Sequence, residues 1–191
     1  MKFKACLIML FTTVFWPFMA FAAACDVPHF ESFQPTSVPQ TNPDLVAVEF
    51  AMQPVATLRI PSGFVKWGAF PYGSVGFGEH PHGIVGVLGY ETRESVSVHK
   101  EGATPADFML SIFRGLDETG CEYMKGQGLP DEDYRLHATL DGGAELFAYG
   151  KVSTHHFYVI RPDKPDYVLN GLFKNISRAD FEVILSTIRS Q

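Results

Sequence analysis

Residues 104–115, TPADFMLSIFRG, and residues 177–189, SRADFEVILSTIR, are written to one plan. Each opens on a hydroxyl residue, Thr104 or Ser177, with an acid three positions on, Asp107 or Asp180. The hydroxyl takes a free N–H of the first helical turn and the acid suits the positive helix end, so both stretches read as helix starts. Pro105 stands at the first helical position, where its missing N–H costs least. Behind the caps, Phe108, Met109, Ile112, Phe113 and Leu116, and then Phe181, Ile184, Leu185 and Ile188, recur at helical spacing. Gly115 weakens the first run and Gly120 ends it. Two helices with one apolar stripe each need a sheet to lie on.

The strands between and before them supply that sheet. Between the helices, Tyr134 to Leu140 and Ala144 to Tyr149 flank a tight turn at Asp141-Gly142-Gly143. His156 to Arg161 and Tyr167 to Phe173 follow, separated by a proline turn at 162–166. Before the first helix, Leu45 to Phe50, Val55 to Ile60 and Phe64 to Phe70 read as strands, the last two joined by Pro61-Ser62-Gly63. Pro71 to Gly89 is dense in glycine and reads as a long loop or irregular strand, with strand character returning from Gly83 to Tyr90 and from Ser95 to His99. Gly120 to Asp133 reads as a loop. The sum is a single α+β domain over residues 45–191, an antiparallel sheet with two main helices covering one face.

The chain starts with Lys2 and Lys4, an apolar run from Ala5 to Phe21 and the small residues Ala22-Ala23-Ala24. Those are the parts of a secretory signal peptide, placed at residues 1–24, and the expected location is periplasmic or secreted. Removing it leaves about 167 to 169 residues, within single-domain range. The 15 basic and 21 acidic residues of the whole chain, net −6, become 13 and 21, net −8. That balance excludes a nucleic-acid partner, which needs a basic face. Residues 25–44 carry Pro28, Pro35, Pro39 and Pro43 and form a proline-rich arm, pinned to the domain by His29, Phe30 and Phe33.

Cys6 leaves with the leader, so Cys25 and Cys121 remain in an oxidising compartment. Two readings of Cys25 stand side by side. It pairs with Cys121 in a disulfide, or it carries lipid, since Ala23-Ala24-Cys25 resembles the end of a lipobox. Lipid there is the one membrane contact that the sequence suggests.

Chemistry is harder to find. Ser74 lies in Gly73-Ser74-Val75-Gly76, not in the spacing of a nucleophile elbow. Ser111 lies within a helix, where a hydroxyl bonds back to its own backbone. Asp131, Glu132 and Asp133 read as a solvated acidic face without the spacing of a calcium loop. His80 and His82 are the metal candidates, with His137 as a third ligand, and a secreted hydrolase or metal enzyme built on them is the alternative reading. His155 and His156 are adjacent, so a strand turns them to opposite faces. No catalytic residue, resident metal or cofactor is expected. Trp67, Phe70, Tyr72 and Phe77 crowd one strand and the glycine-rich stretch, and these aromatics are the expected surface for a protein partner in the cell envelope. An exported, non-catalytic binding protein follows, one version of which is an immunity protein against an envelope-targeted toxin.

Leu58-Arg59-Ile60-Pro61-Ser62-Gly63-Phe64 resembles the opening of PsbP-like domains, the superfamily that includes DcrB-like envelope proteins: a hydrophobic strand, Pro-x-Gly-aromatic and a second strand. The resemblance implies further strands, a helix, more antiparallel strands and a closing helix over residues 45–190. It implies a mostly non-catalytic role as a binding subunit, assembly factor or adaptor, and it assigns no functional residue here. The glycine-rich stretch from Pro71 to Gly89 departs from that pattern.

Overall fold

A computed structural model describes residues 25–39 and 43–191 of the chain. The expected signal peptide at residues 1–24 lies outside the described residues. In chain order the elements are β1 (Glu31–Ser32), β2 (Val48–Met52), β3 (Ala56–Ile60), β4 (Lys66–Phe70), β5 (Ser74–Gly78) and β6 (Val85–Thr92). Helices α1 (Arg93–Ser97), α2 (Pro105–Arg114) and α3 (Glu118–Gly126) follow. The chain then runs through β7 (Tyr134–Thr139), β8 (Glu145–Lys151), β9 (Thr154–Ile160), β10 (Tyr167–Lys174), α4 (Arg178–Leu185) and β11 (Arg189–Ser190).

Both helix starts form as their sequences dictate. Thr104 Oγ1 accepts from the Asp107 N–H at 3.1 Å, and Ser177 Oγ accepts from the Asp180 N–H at 3.1 Å. Gly115 closes α2 in the left-handed conformation that glycine adopts without strain. The short turn at Asp141–Gly143 joins β7 to β8, and Leu140 N–H donates to the Ala144 carbonyl at 2.7 Å across it.

Eight strands form one sheet in the order β1-β7-β8-β9-β10-β6-β5-β4, antiparallel throughout except for the parallel β1–β7 pair. A smaller sheet has the order β11-β3-β2. Alternation along the strands sends neighbours to opposite sides. Leu169, Phe157 and Phe173 pack with Phe181, Ile184 and Leu185 of α4 and with Leu58 and Ile60 of the small sheet. Val168, Ile160, Phe147 and Tyr149 pack with Phe108, Ile112 and Phe113 of α2 and Met124 of α3. The domain is α+β, but its two main helices lie on opposite faces of the large sheet. Periodicity identified each apolar stripe without saying which face would receive it.

Three further expectations are corrected. The stretch from Gly120 to Asp133, read as loop, is helical as far as Gly126 within α3 (Glu118–Gly126), capped by Asp117, which accepts from the Gly120 N–H at 2.8 Å. A Cβ on Gly120 would stand 2.6 Å from the Ser111 backbone, so this glycine lets α2 and α3 approach closely instead of ending a helix. The stretch from Ser95 to His99, read as strand, begins inside α1 (Arg93–Ser97), because Thr92 and Ser95 exchange backbone-to-hydroxyl bonds as a capping box. The first strand of the domain begins at Val48, since Pro43–Val46 is a 3-10 turn.

Candidate functional site

The glycine-rich stretch, read as irregular, folds into a regular hairpin. Its backbone turns through a short 3-10 helix at Pro71–Gly73 between β4 and β5. Lys66 opposes Gly78, Trp67 opposes Phe77 and Gly68 opposes Gly76. The glycines of this sheet make room for rings. A Cβ on Gly76 would come within 2.8 Å of the Phe70 ring, and one on Gly86 within 2.0 Å of Phe77.

The hairpin separates the four predicted aromatics. Phe77 is only 3% exposed, wedged against Phe64 at 4.6 Å and Phe173 at 5.6 Å between ring centroids. It is core, and the expectation that it meets a partner is corrected: β5 is covered on that side by the small sheet and α4. Trp67 sits one strand further out and keeps 45% of its surface exposed. Its indole stacks on Phe50 with planes 2° apart, and its N–H donates to the Phe64 carbonyl at 3.3 Å. Phe70, on the opposite side of β4, is 56% exposed and lies across Gly76 and Gly68. Tyr72 lies in the 3-10 turn, and its side chain is outside the described set.

Two exposed apolar residues that sequence reading did not single out lie on the same three strands, β4 to β6, or beside them. Val65, next to β4, is 72% exposed, and Val85, at the start of β6, is 41% exposed. Their signal was faint because an apolar residue beside a turn reads equally well as core. β4 is the last strand of its sheet, exposed along most of its length, with Lys66 at one end in an ion pair with Glu79. Such an apolar, unpaired strand edge is a template for another chain.

The remaining candidates are placed as follows. His82 N–H donates to His80 Nδ1 at 3.2 Å, and the two rings lie 5.5 Å apart in the loop after β5. His137 is on β7, separated from that loop by β8, β9, β10 and β6, and it contacts Glu145 Oε2 at 3.2 Å. The three histidines are not brought together, and among the described residues no group of three metal-ligating side chains forms. Ser111 Oγ donates to the Phe108 carbonyl, its own helix. In the acidic loop, Asp133 accepts from the Val152 N–H, and burial pushes the Glu132 carboxyl up. His155 and His156 do face opposite ways: His155 is buried against Phe181 and Tyr134, whereas His156 stacks on Tyr149.

At the other end of the large sheet, Cys25 and Cys121 are joined in a disulfide. The bond holds the arm against α3, and Phe30 sets its edge against Phe113 and Phe147. Further along the arm, Phe33 is buried, its N–H donates to the His137 carbonyl, and Glu31 pairs with Arg178 at 3.1 Å. His29 stays exposed. Among the described residues no helix is long and apolar enough to cross a membrane. Comparison with protein-family models, with curated proteins and with solved structures found no match to this chain.

Proposed function

We propose that this chain is an exported, non-catalytic protein of the cell envelope, periplasmic or secreted, that works by binding another protein along the β4 edge. The observation that carries the reading is the exposure of Trp67 and Phe70 on the outermost strand of the large sheet, with Val65 exposed just before it. Their rings and branches offer apolar area on a rigid strand, and the unpaired backbone offers hydrogen bonds. That is how strand-addition interfaces combine affinity with side-chain selection. The excess of acid over base in the whole chain suits a basic partner, and an immunity protein against an envelope-targeted toxin is the specific form proposed. The order of strands and helices also suits a PsbP-like architecture, whose members are mostly binders and adaptors.

The test is capture from the native envelope fraction with the tagged full chain and with a Trp67→Ser, Phe70→Ser variant. One protein recovered in comparable amount with the native chain, and lost with the variant, supports the reading. Equal recovery by both chains removes the β4 edge from it.

A further inference from the structure

The arm that begins at Cys25 wraps the β7 edge of the large sheet, at the opposite end from β4. Its two phenylalanines grip opposite faces. Phe30 sets its edge against Phe113 and Phe147, with ring centroids 6.0 and 5.4 Å away, on the side of α2 and α3. Phe33 is buried on the other side, in the cluster that holds α4 and the small sheet, and its N–H donates to the His137 carbonyl. Between the rings, β1 pairs with β7 through Glu31 and Ser32 alone. Cys25 to Phe30 belong to no strand or helix. That stretch is placed by the bond to Cys121 and by a close fit over Gly115, where a Cβ would stand 2.5 Å from Val27.

These attachments are unequal in strength. Glu31 and Arg178 form an ion pair, but both side chains are substantially exposed, and such pairs add little. A two-residue strand has no stability of its own. Laying the arm down costs conformational freedom at every residue, and one partly buried ring does little to offset it. The Cys25–Cys121 bond changes this balance, because a tethered Phe30 returns to the same site each time it lifts. We propose that the arm is a redox-latched strap: reduction of Cys25–Cys121 lifts Cys25 to Ser32 off the β7 edge, hinged at Phe33, while the rest of the domain stays folded. The reductant is a dithiol. One of its thiolates attacks Sγ of Cys25, the half-buried partner, since Cys121 is only 5% exposed. A mixed disulfide forms, and Cys121 leaves as a thiolate and takes up a proton. The second thiol of the reductant then breaks the mixed disulfide and frees the Cys25 thiol. Two electrons have passed to the protein, and the dithiol ends as a disulfide.

The experiment uses the purified, disulfide-bonded full chain and a glutamyl endopeptidase, with and without dithiothreitol. Cleavage after Glu31 needs β1 to leave β7, so its rate follows the population of the lifted arm. Reduction should speed that cut by about tenfold or more, while cuts after Glu145 on β8 and Glu182 on α4 keep their rates. The Cys25→Ser, Cys121→Ser variant should be cut after Glu31 as fast as the reduced chain, with no reductant present. Phe30→Ser with the bond intact should stay close to the native rate. An unchanged rate after Glu31 on reduction overturns the strap. So does an equal rise at Glu145 and Glu182, which would make the bond an ordinary brace of the whole fold. If Phe30→Ser alone is cut as fast as the reduced chain, the ring and not the bond is the latch, and the proposal fails.

Discussion

The Tyr134 hydroxyl donates to Nδ1 of His155 at 2.7 Å, while Nε2 of the same ring donates to the Ile176 carbonyl at 2.9 Å. A carbonyl only accepts, so the Nε2 bond fixes the neutral tautomer and leaves Nδ1 as the acceptor for Tyr134. The ring is fully buried, stacked on Phe181, and links β7, β9 and the segment entering α4. Desolvation is the main reason that its pKa lies below the usual histidine value, and the nearby Arg178 adds to it.

That burial makes stability depend on pH. Because the folded pKa is depressed, the unfolded chain binds the proton first as pH falls below about 6.5, and stability is lost across that window. His156, also depressed mainly by burial, adds to the same slope. Denaturant midpoints measured from pH 7.5 down to 5 should fall in the native chain. In His155→Phe they should start lower, by about 2 kcal/mol for the two lost bonds, and fall less steeply. Parallel slopes would show that His155 is not the group responsible.

Reduction of the Cys25–Cys121 bond, which spans a sequence separation of 96, should destabilise the fold. The chain-entropy model puts the loss at about 4 to 5 kcal/mol. Thermal unfolding with and without reductant checks this, and Cys25→Ser with Cys121→Ser should match the reduced protein. With its sulfur in the bond, Cys25 has no thiol left for a lipid, so intact mass should show an unlipidated chain lighter by two hydrogens than the dithiol.

Phe77 and Phe70 should answer differently to truncation, although both stood in one predicted aromatic group. Phe77→Ala opens a cavity beside Phe64 and Phe173 and should cost about 3 to 5 kcal/mol. Phe70→Ser, at an exposed position, should stay within about 0.5 kcal/mol of the native chain. Urea unfolding of the two variants decides the point.

Gly171 on β10 faces the Phe157 ring, where a Cβ would stand 2.0 Å from the nearest ring carbon. Gly171→Ala must therefore push Phe157 out of the packed layer beneath α4, at a cost of about 3 kcal/mol. Gly78→Ala, with nothing within 4 Å of its Cβ, is the control and should leave the melting temperature nearly unchanged.

What the sequence determined by itself was local. The starts of α2 and α4 were legible because a cap and its third neighbour meet within one turn, whatever the rest of the chain does. The turn at Asp141–Gly143 was legible for the same reason, since it closes over three residues. The cysteine pair followed from elimination once Cys6 was assigned to the leader, though lipidation stood beside it until the two sulfurs were seen joined. Tertiary structure decided everything that depends on who packs against whom. An apolar stripe demands burial without naming a partner, so α2 and α4 could be sent to one face by sequence and to opposite faces by packing. Gly120 read as a helix breaker because the backbone of α2, which needs it to be small, lies nine residues back along the chain and adjacent only in space. Phe77 and Phe70 are equally apolar, but Phe77 stands one strand further in and faces the small sheet and α4, whereas Phe70 stands on the edge strand and faces the other way, which makes the first core and the second surface. Edge and centre are properties of a sheet, which long-range pairing creates and no short window of sequence contains.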